Sequence, residues 1–156
     1  MTRAARLSAV LLAAFLIARG VALAQSPESA GPTFQGRIAT TIERHLGRRY
    51  VWGASGLKSF DCSGFVWRVL SENGMLLKRS TARKYYMMLK PTPRTDRWTF
   101  GTLVFFDDLK HVGIVDSAET FYHAHVTGGT SRLEMNEFWR RQLYGFRRLP
   151  PAPPAP

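Results

Sequence analysis

The chain has 156 residues, with 22 lysines and arginines against 11 acidic residues, a formal net charge of +11, and 45% hydrophobic content. One domain fits that length comfortably and two only with difficulty, and the apolar share is enough for a proper core. So positive a balance points to an anionic workplace, be it nucleic acid, acidic lipid or a cell wall. No RNP-like, zinc-finger or helix-turn-helix signature accompanies it, which sets nucleic acid aside.

In chain order, Arg3 and Arg6 precede an apolar stretch from Leu7 to Ala18, and Ala22-Leu23-Ala24 reads as a small-residue cleavage site before Gln25. This is the layout of a secretory signal peptide over residues 1–24, too short and too abruptly ended to span a bilayer. Arg19 weakens the signal, and a retained membrane anchor is the competing reading. A lipid anchor at the cleavage point is excluded, because it needs a cysteine there and the only cysteine is Cys62. Removal of the segment takes away three arginines and no acid, so the net charge falls from +11 to +8. The mature protein is then expected in a periplasm or outside the cell.

Residues 25–33 form a flexible lead-in rich in Ser, Pro and Gly, and residues 150–156 a Pro/Ala tail that supports neither helix nor sheet. Between them, residues 34–149 are the expected folded unit. Thr33 can cap a helix whose apolar face is Phe34, Ile38, Ile42 and Leu46, stopped by Gly47. A second helix begins at Asp61, carries Phe65, Val66, Val69 and Leu70 on one side, and ends at Asn73-Gly74. A third runs from Ser80 to about Leu89, before Pro91 and Pro93. The pattern then changes to short β-rich segments at Leu103–Phe106, His111–Asp116, Phe121–Val126 and Tyr144–Leu149, separated by Asp-Asp, Ser-Ala-Glu and Gly-Gly breaks. Helices followed by consecutive strands predict an α+β domain with an antiparallel sheet.

In an exported protein an unpaired thiol is either an accident or a reagent. Asp61 is a good N-cap, which places Cys62 in the first helical turn, where orphan N–H groups and the helix dipole favour an anion. Beside an imidazolium such a thiol can drop to a pKa of roughly 3.5–7.5. Ser63 and Gly64 are small and leave an approach for a carbonyl carbon, and the Cys62 N–H can help hold the oxyanion. A buried structural thiol is the alternative. Strand alternation puts Val112 and Ile114 on the core side, with His111, Gly113 and Val115 on the other, and joins Phe121 to His123. If the strands are neighbours, His111 and His123 stand together on the sheet face beneath the Cys62 helix. His111 would then take the thiol proton, and His123 would hold its ring in the right tautomer. His125 shares that face and competes for the third role. His45 reads as a dipole partner at a helix C-terminus. A zinc site from His111, His123, His125 and Asp107 or Asp108 lacks a second ligand pair of recognised spacing, so neither metal nor cofactor is expected.

Together these residues resemble the NlpC/P60 family of cysteine peptidases. Tyr50-Val51-Trp52-Gly53 resembles its entry motif, Asp61-Cys62-Ser63-Gly64-Phe65-Val66 its nucleophile motif, and Arg79-Ser80-Thr81 the segment opening the next helix. Gly101-Thr102-Leu103-Val104-Phe105-Phe106 is similar to Gly-Asp-Leu-Val-Phe-Phe, with Thr102 in place of the usual Asp. His111-Val112-Gly113-Ile114 resembles the base motif, Phe121-Tyr122-His123-Ala124 the third-residue motif, and Tyr144-Gly145-Phe146-Arg147-Arg148 the closing strand. The match is collinear over about residues 34–149.

The resemblance implies a papain-like fold and a Cys62–His111–His123 triad that hydrolyses amide bonds in peptidoglycan stem peptides, typically between γ-D-glutamyl and a diamino acid. It places Tyr50, Asp61, Ser63, Arg79 and Ser80 along the substrate cleft. There Asp61 could meet a free amine and Arg79 pair with a stem-peptide carboxylate. The basic, aromatic run Arg83-Lys84-Tyr85-Tyr86 departs from the usual pattern and bears on cleft preference. No companion wall-binding module is visible in the sequence, so either charge or a partner protein is expected to bring the domain to its wall. An amidase or acyltransferase acting on another amide, and a catalytically silent wall-binding module, are the competing functions.

Overall fold

The computed structural model describes residues 33–153, so the expected signal peptide and nearly all of the lead-in lie outside the described residues. Helix α1 spans Phe34–His45 and starts where predicted, with the Thr33 hydroxyl accepting the Gly36 N–H at 3.1 Å. Its face of Ile38, Thr41, Ile42 and His45 is buried. Two short strands, β1 (Arg49–Tyr50) and β2 (Ser59–Phe60), pair in parallel and bring Tyr50 close to the start of the next helix. Helix α2 (Cys62–Glu72) buries Phe65, Val66, Val69 and Leu70. Helix α3 (Ala82–Met88) begins two residues later than the sequence suggests, because Thr81 and not Ser80 supplies the cap, accepting from the Lys84 N–H.

Strands β3 (Leu103–Phe106), β4 (His111–Val115), β5 (Thr120–His125), β6 (Gly129–Glu134) and β7 (Leu143–Arg147) form an antiparallel sheet of order β6-β5-β4-β3-β7. The sequence reading missed β6 and helix α4 (Glu137–Arg141). Strand β6 is an edge strand whose second half is polar and largely exposed, so it shows no alternation. Helix α4 has five residues, too few for a helical period to emerge. Its start is nonetheless capped, by the Asn136 side chain accepting the Trp139 N–H at 3.2 Å.

Both faces of the sheet are covered. Leu103, Phe105, Val112, Ile114, Tyr122 and Ala124 pack with α1 and α2 in one core. Val104, Phe106, Val115, Phe121 and Phe146 pack with Met135 and Trp139 in a second, on the other side. The β4 alternation holds, and it carries a correction. His111 and His123 lie on the Trp139 side and not on the face beneath the Cys62 helix, because Val112 and Ile114 already fill the space against α2. The start of the tail bends back: Pro150, Pro151 and Pro153 border a hollow with Gly74–Leu77 at the end of α2. Among the described residues no helix is long and apolar enough to cross a membrane.

Candidate active site

A cavity of about 590 Å³ opens where the N-terminus of α2 meets the start of β4. Cys62, His111, Tyr50, Asp61, Ser63 and Arg79 all line it; Thr81 reaches it where Ser80 was expected. The Ser80 N–H instead donates to the Tyr85 hydroxyl, and its carbonyl accepts from Arg79 Nη1.

The α2 side is a polar network in which the Asp61 carboxylate is fully engaged and Arg79 Nε is left without a partner. Asp61 Oδ1 accepts from the Gly64 N–H at 2.5 Å and the Ser63 hydroxyl at 3.0 Å, and Oδ2 from the Gly53 N–H at 3.0 Å. Arg79 Nη2 straddles both carboxylate oxygens at 2.8 and 2.7 Å, while Nη1 donates to Ser63 Oγ at 2.9 Å. Both charges therefore engage each other and are not left open for a substrate amine or carboxylate. The reason is burial: Asp61 is 8% exposed, and a buried carboxylate demands a partner. Gly64 also differs from its expected use as an open approach. A Cβ there would lie 2.0 Å from the Ala54 carbonyl oxygen, so glycine lets the 51–54 turn close onto α2.

Cys62 Sγ lies 3.8 Å from the Lys110 carbonyl, one residue from His111. Burial pushes the thiol pKa up, and the Asp61 charge adds to this, against the pull of the Val112 and Ser63 N–H groups and Arg79. The pull of the helix N-terminus is thus outweighed by burial in the free protein, contrary to the sequence expectation, since Cys62 is only 7% exposed.

The histidine side is aromatic. His111 Nε2 and His123 Nδ1 are 2.8 Å apart. His111 stacks on Trp139 with ring centroids 5.4 Å apart, and Phe121 and Trp139 meet His123 edge-on at 5.0 and 5.2 Å. Burial, followed by the nearby His125, lowers the His111 pKa from 6.5 to about 4. Burial, followed by its two histidine neighbours, lowers His123 to about 3. Both rings are therefore neutral near pH 7. His125 stacks beside His123 at 5.6 Å and lines the cavity, but the hydrogen bond to His111 belongs to His123. Gly113 is needed on this side: a Cβ would lie 2.8 Å from the Phe121 ring.

Leading into His111, Asp107, Asp108 and Leu109 take φ of +48°, +47° and +69°, a conformation that penalises each side chain by roughly 1–3 kcal/mol. The turn is held by Arg83 Nη2 on the Asp108 carbonyl at 2.7 Å and by the Asp107 N–H on the Gln142 carbonyl at 3.0 Å. The sequence reading overlooked this turn and Trp139. An aromatic three residues after an Asn cap was the available signal for the latter. His45, at the end of α1, contacts Glu72 Oε1 at 3.0 Å, away from the cavity. Among the described residues no group of three or more His, Cys, Asp or Glu side chains is arranged to hold a metal ion.

A sequence model of the NlpC/P60 family matches residues 47–148. The chain belongs to the NlpC/P60 family. It is 38% identical over 118 residues to the murein DD-endopeptidase MepS/murein LD-carboxypeptidase of Escherichia coli, covering 72% of this chain and 62% of that protein. It is 32% identical over 115 residues to the probable endopeptidase p60 of Listeria seeligeri, covering 72% of this chain and 22% of that protein. The chain thus spans about a fifth of the p60 protein's length. Among solved structures, an NLP/P60 family protein similar to a lipoprotein from Staphylococcus aureus superposes with a TM-score of 0.66 at 27% identity, over 80% of this chain and 44% of that one. RipD of Mycobacterium tuberculosis, described as a non-catalytic NlpC/p60 domain protein adapted to peptidoglycan binding, has the same fold (TM-score 0.61, 13% identity, 74% of this chain and 97% of that one). The fold is the α+β arrangement of this family.

Proposed function

We propose that this protein is an exported cysteine endopeptidase that hydrolyses amide bonds in peptidoglycan stem peptides, with the γ-D-glutamyl–diamino acid linkage as its target. The observation that carries this reading is the pairing of His111 with His123 at 2.8 Å, on the rim of the cavity that also holds Cys62. For His111 to accept the thiol proton on Nδ1, its other proton must sit on Nε2 and be donated to His123 Nδ1. His123 then carries its proton on Nε2, and that atom is buried with no hydrogen-bond partner among the described residues, against the faces and edges of Phe121 and Trp139. The aromatic packing holds the tautomer that the reaction needs.

In the resting protein the pair is thiol and neutral imidazole. As the sulfur bonds to the acyl carbon, the proton passes from Cys62 to His111, and the Cys62 N–H faces the developing oxyanion. Tyr50, its pKa raised by burial and by the charges of Cys62 and Asp61, stays a protonated donor beside it. The C–N bond breaks as His111 returns the proton to the leaving amine. Water then attacks the thioester, gives a proton to His111, and releases the acid and the thiol. No cofactor takes part in these steps. The charge of +8 on the mature chain suits an anionic wall, with a partner protein as the other means of delivery.

Incubating the mature protein and Cys62→Ala with muropeptides, with products read by mass spectrometry, tests this. Cleavage at the γ-D-glutamyl bond that vanishes in Cys62→Ala supports the endopeptidase. Release of an acyl group from another amide makes it an amidase or acyltransferase, and binding by both proteins without cleavage makes it a silent wall-binding module.

A further inference from the structure

The first residues of the Pro/Ala tail settle on the body of the protein. Pro150 and Pro151 form a ridge between two hollows, one of about 450 Å³ against Met88, Lys90 and Arg148, the other of about 250 Å³ against Gly74–Leu77 beyond the end of α2. Proline has little backbone freedom to lose, which favours such a ridge.

The fold leaves this end of the molecule unanswered in two respects. Leu76 is wholly exposed and Met88 is 57% exposed. Scattered apolar side chains are ordinary on a protein surface, but these two flank one proline ridge and form a strip with it. Lys90 and Arg148 border the same strip, and among the described residues neither side chain makes a hydrogen bond or an ion pair. No acidic residue lines either hollow. Glu72, two residues before Gly74, is turned to Arg44, His45 and Arg68 at 3.3, 3.0 and 3.9 Å. The strip is therefore apolar and basic, with no carboxylate competing for its cations.

A polyanion in water would neutralise Lys90 and Arg148 but leave Leu76 and Met88 wet. A bilayer interface answers both parts. Its acyl boundary takes the apolar side chains, while the Lys90 and Arg148 stems lie along it and keep their charges among the phosphates. The position relative to the cleft suits such a contact. Helix α2 has eleven residues and is about 16 Å long, with Cys62 at one end and the strip beyond the other. The two hollows share no lining residue with the cleft, so lipid at the strip leaves the cleft open to substrate.

We infer that Leu76, Met88, the Pro150-Pro151 ridge, Lys90 and Arg148 form a peripheral docking surface for an anionic lipid bilayer. The contact is reversible, because it rests on a few cations and aliphatic side chains and spans nothing. It does not depend on the hydrolase reading, since it concerns where the protein sits and not what it cleaves.

The test is sedimentation of the protein from Gln25 onward, which contains the whole described fold, with lipid vesicles. Residues 1–24 are omitted because the apolar run from Leu7 to Ala18 would bind lipid by itself. Vesicles of phosphatidylcholine with about a third phosphatidylglycerol should be preferred over phosphatidylcholine alone by about twenty-five-fold, about fivefold for each cation. Lys90→Gln with Arg148→Gln should remove most of that preference. Leu76→Gln with Met88→Gln should weaken binding to the mixed vesicles about tenfold, as part of each side chain's burial is lost. All four positions are exposed and outside the cleft, so both variants should fold and cleave a soluble muropeptide as the wild type does. If the wild type cleaves none, the hydrolase reading falls and the vesicle result stands by itself. Equal binding to both vesicles, or binding to neither, overturns the docking surface. Undiminished binding in both variants places the lipid contact elsewhere and overturns it too. Loss in the charge variant alone makes the strip a polyanion site instead. Self-association that Leu76→Gln with Met88→Gln abolishes, without vesicle binding, makes it a contact between copies.

Discussion

The two walls of the cleft solve the same problem by opposite physics. On the α2 side, a buried carboxylate is surrounded by donors, and Asp61, Ser63, Arg79 and two backbone N–H groups bond to one another, with only Arg79 Nε of this group buried and unpartnered. On the β4–β5 side, His111 and His123 share one hydrogen bond and are otherwise enclosed by Phe106, Phe121 and Trp139. The polar wall is fixed by directional bonds that tolerate charge, whereas the aromatic wall is fixed by packing that expels it. Cys62 sits between them, and burial raises the pKa of its thiol.

Trp139→Ala should do the most damage to this contrast. It removes a nearly buried indole that contacts all three histidines of the cleft, at about 3–5 kcal/mol of stability. Chemical denaturation measures the loss, and Trp139→Phe should recover much of it. Arg79→Met leaves Asp61 buried among neutral donors and should lower stability by about 3 kcal/mol; loss confined to the rim range of about 1 kcal/mol would mean that the polar wall is not held by this pair. Gly113→Ala drives a methyl into the Phe121 ring and the Tyr122 carbonyl and should reduce stability by about 1–3 kcal/mol, with His111 and His123 NMR signals displaced as the packing shifts.

Acid should act through the aromatic wall. The unfolded chain protonates its histidines near pH 6.5, while folded His111 and His123 resist until about pH 4 and 3. Below pH 6.5 the unfolded state therefore binds more protons, and stability falls with decreasing pH by up to about 1.4 kcal/mol per unit for each ring, levelling off below those folded values. Urea midpoints at pH 7.5, 5.5 and 4.5 should show this, and His123→Gln should flatten the slope. The smallest effect is on the thiol: iodoacetamide labelling of Cys62 should climb through alkaline pH beyond the ordinary thiol value of 9.0. Fast labelling that is level from pH 6 upward would mean that an ion pair exists before substrate binds.

Local chemistry was legible in the chain. Thr33 and Asp61 cap α1 and α2 as read, because an N-cap is a bond between residues three apart and needs no distant partner, whereas the α3 cap fell on Thr81, one residue past the Ser80 start that the sequence suggested. The placement of Cys62 at a helix start and the alternation of His111 with Val112 followed in the same way, as did the antiparallel sheet, while the adjacency of β4 and β5 was a condition that the fold supplied. The remainder depended on contacts between segments far apart in sequence. Asp61 found Arg79 across 18 residues, and His111 was roofed by Trp139 from a helix too short to announce itself. Those encounters decided which sheet face carries the histidines and turned the thiol pKa upward, because desolvation is a property of the assembled fold and of no residue taken alone.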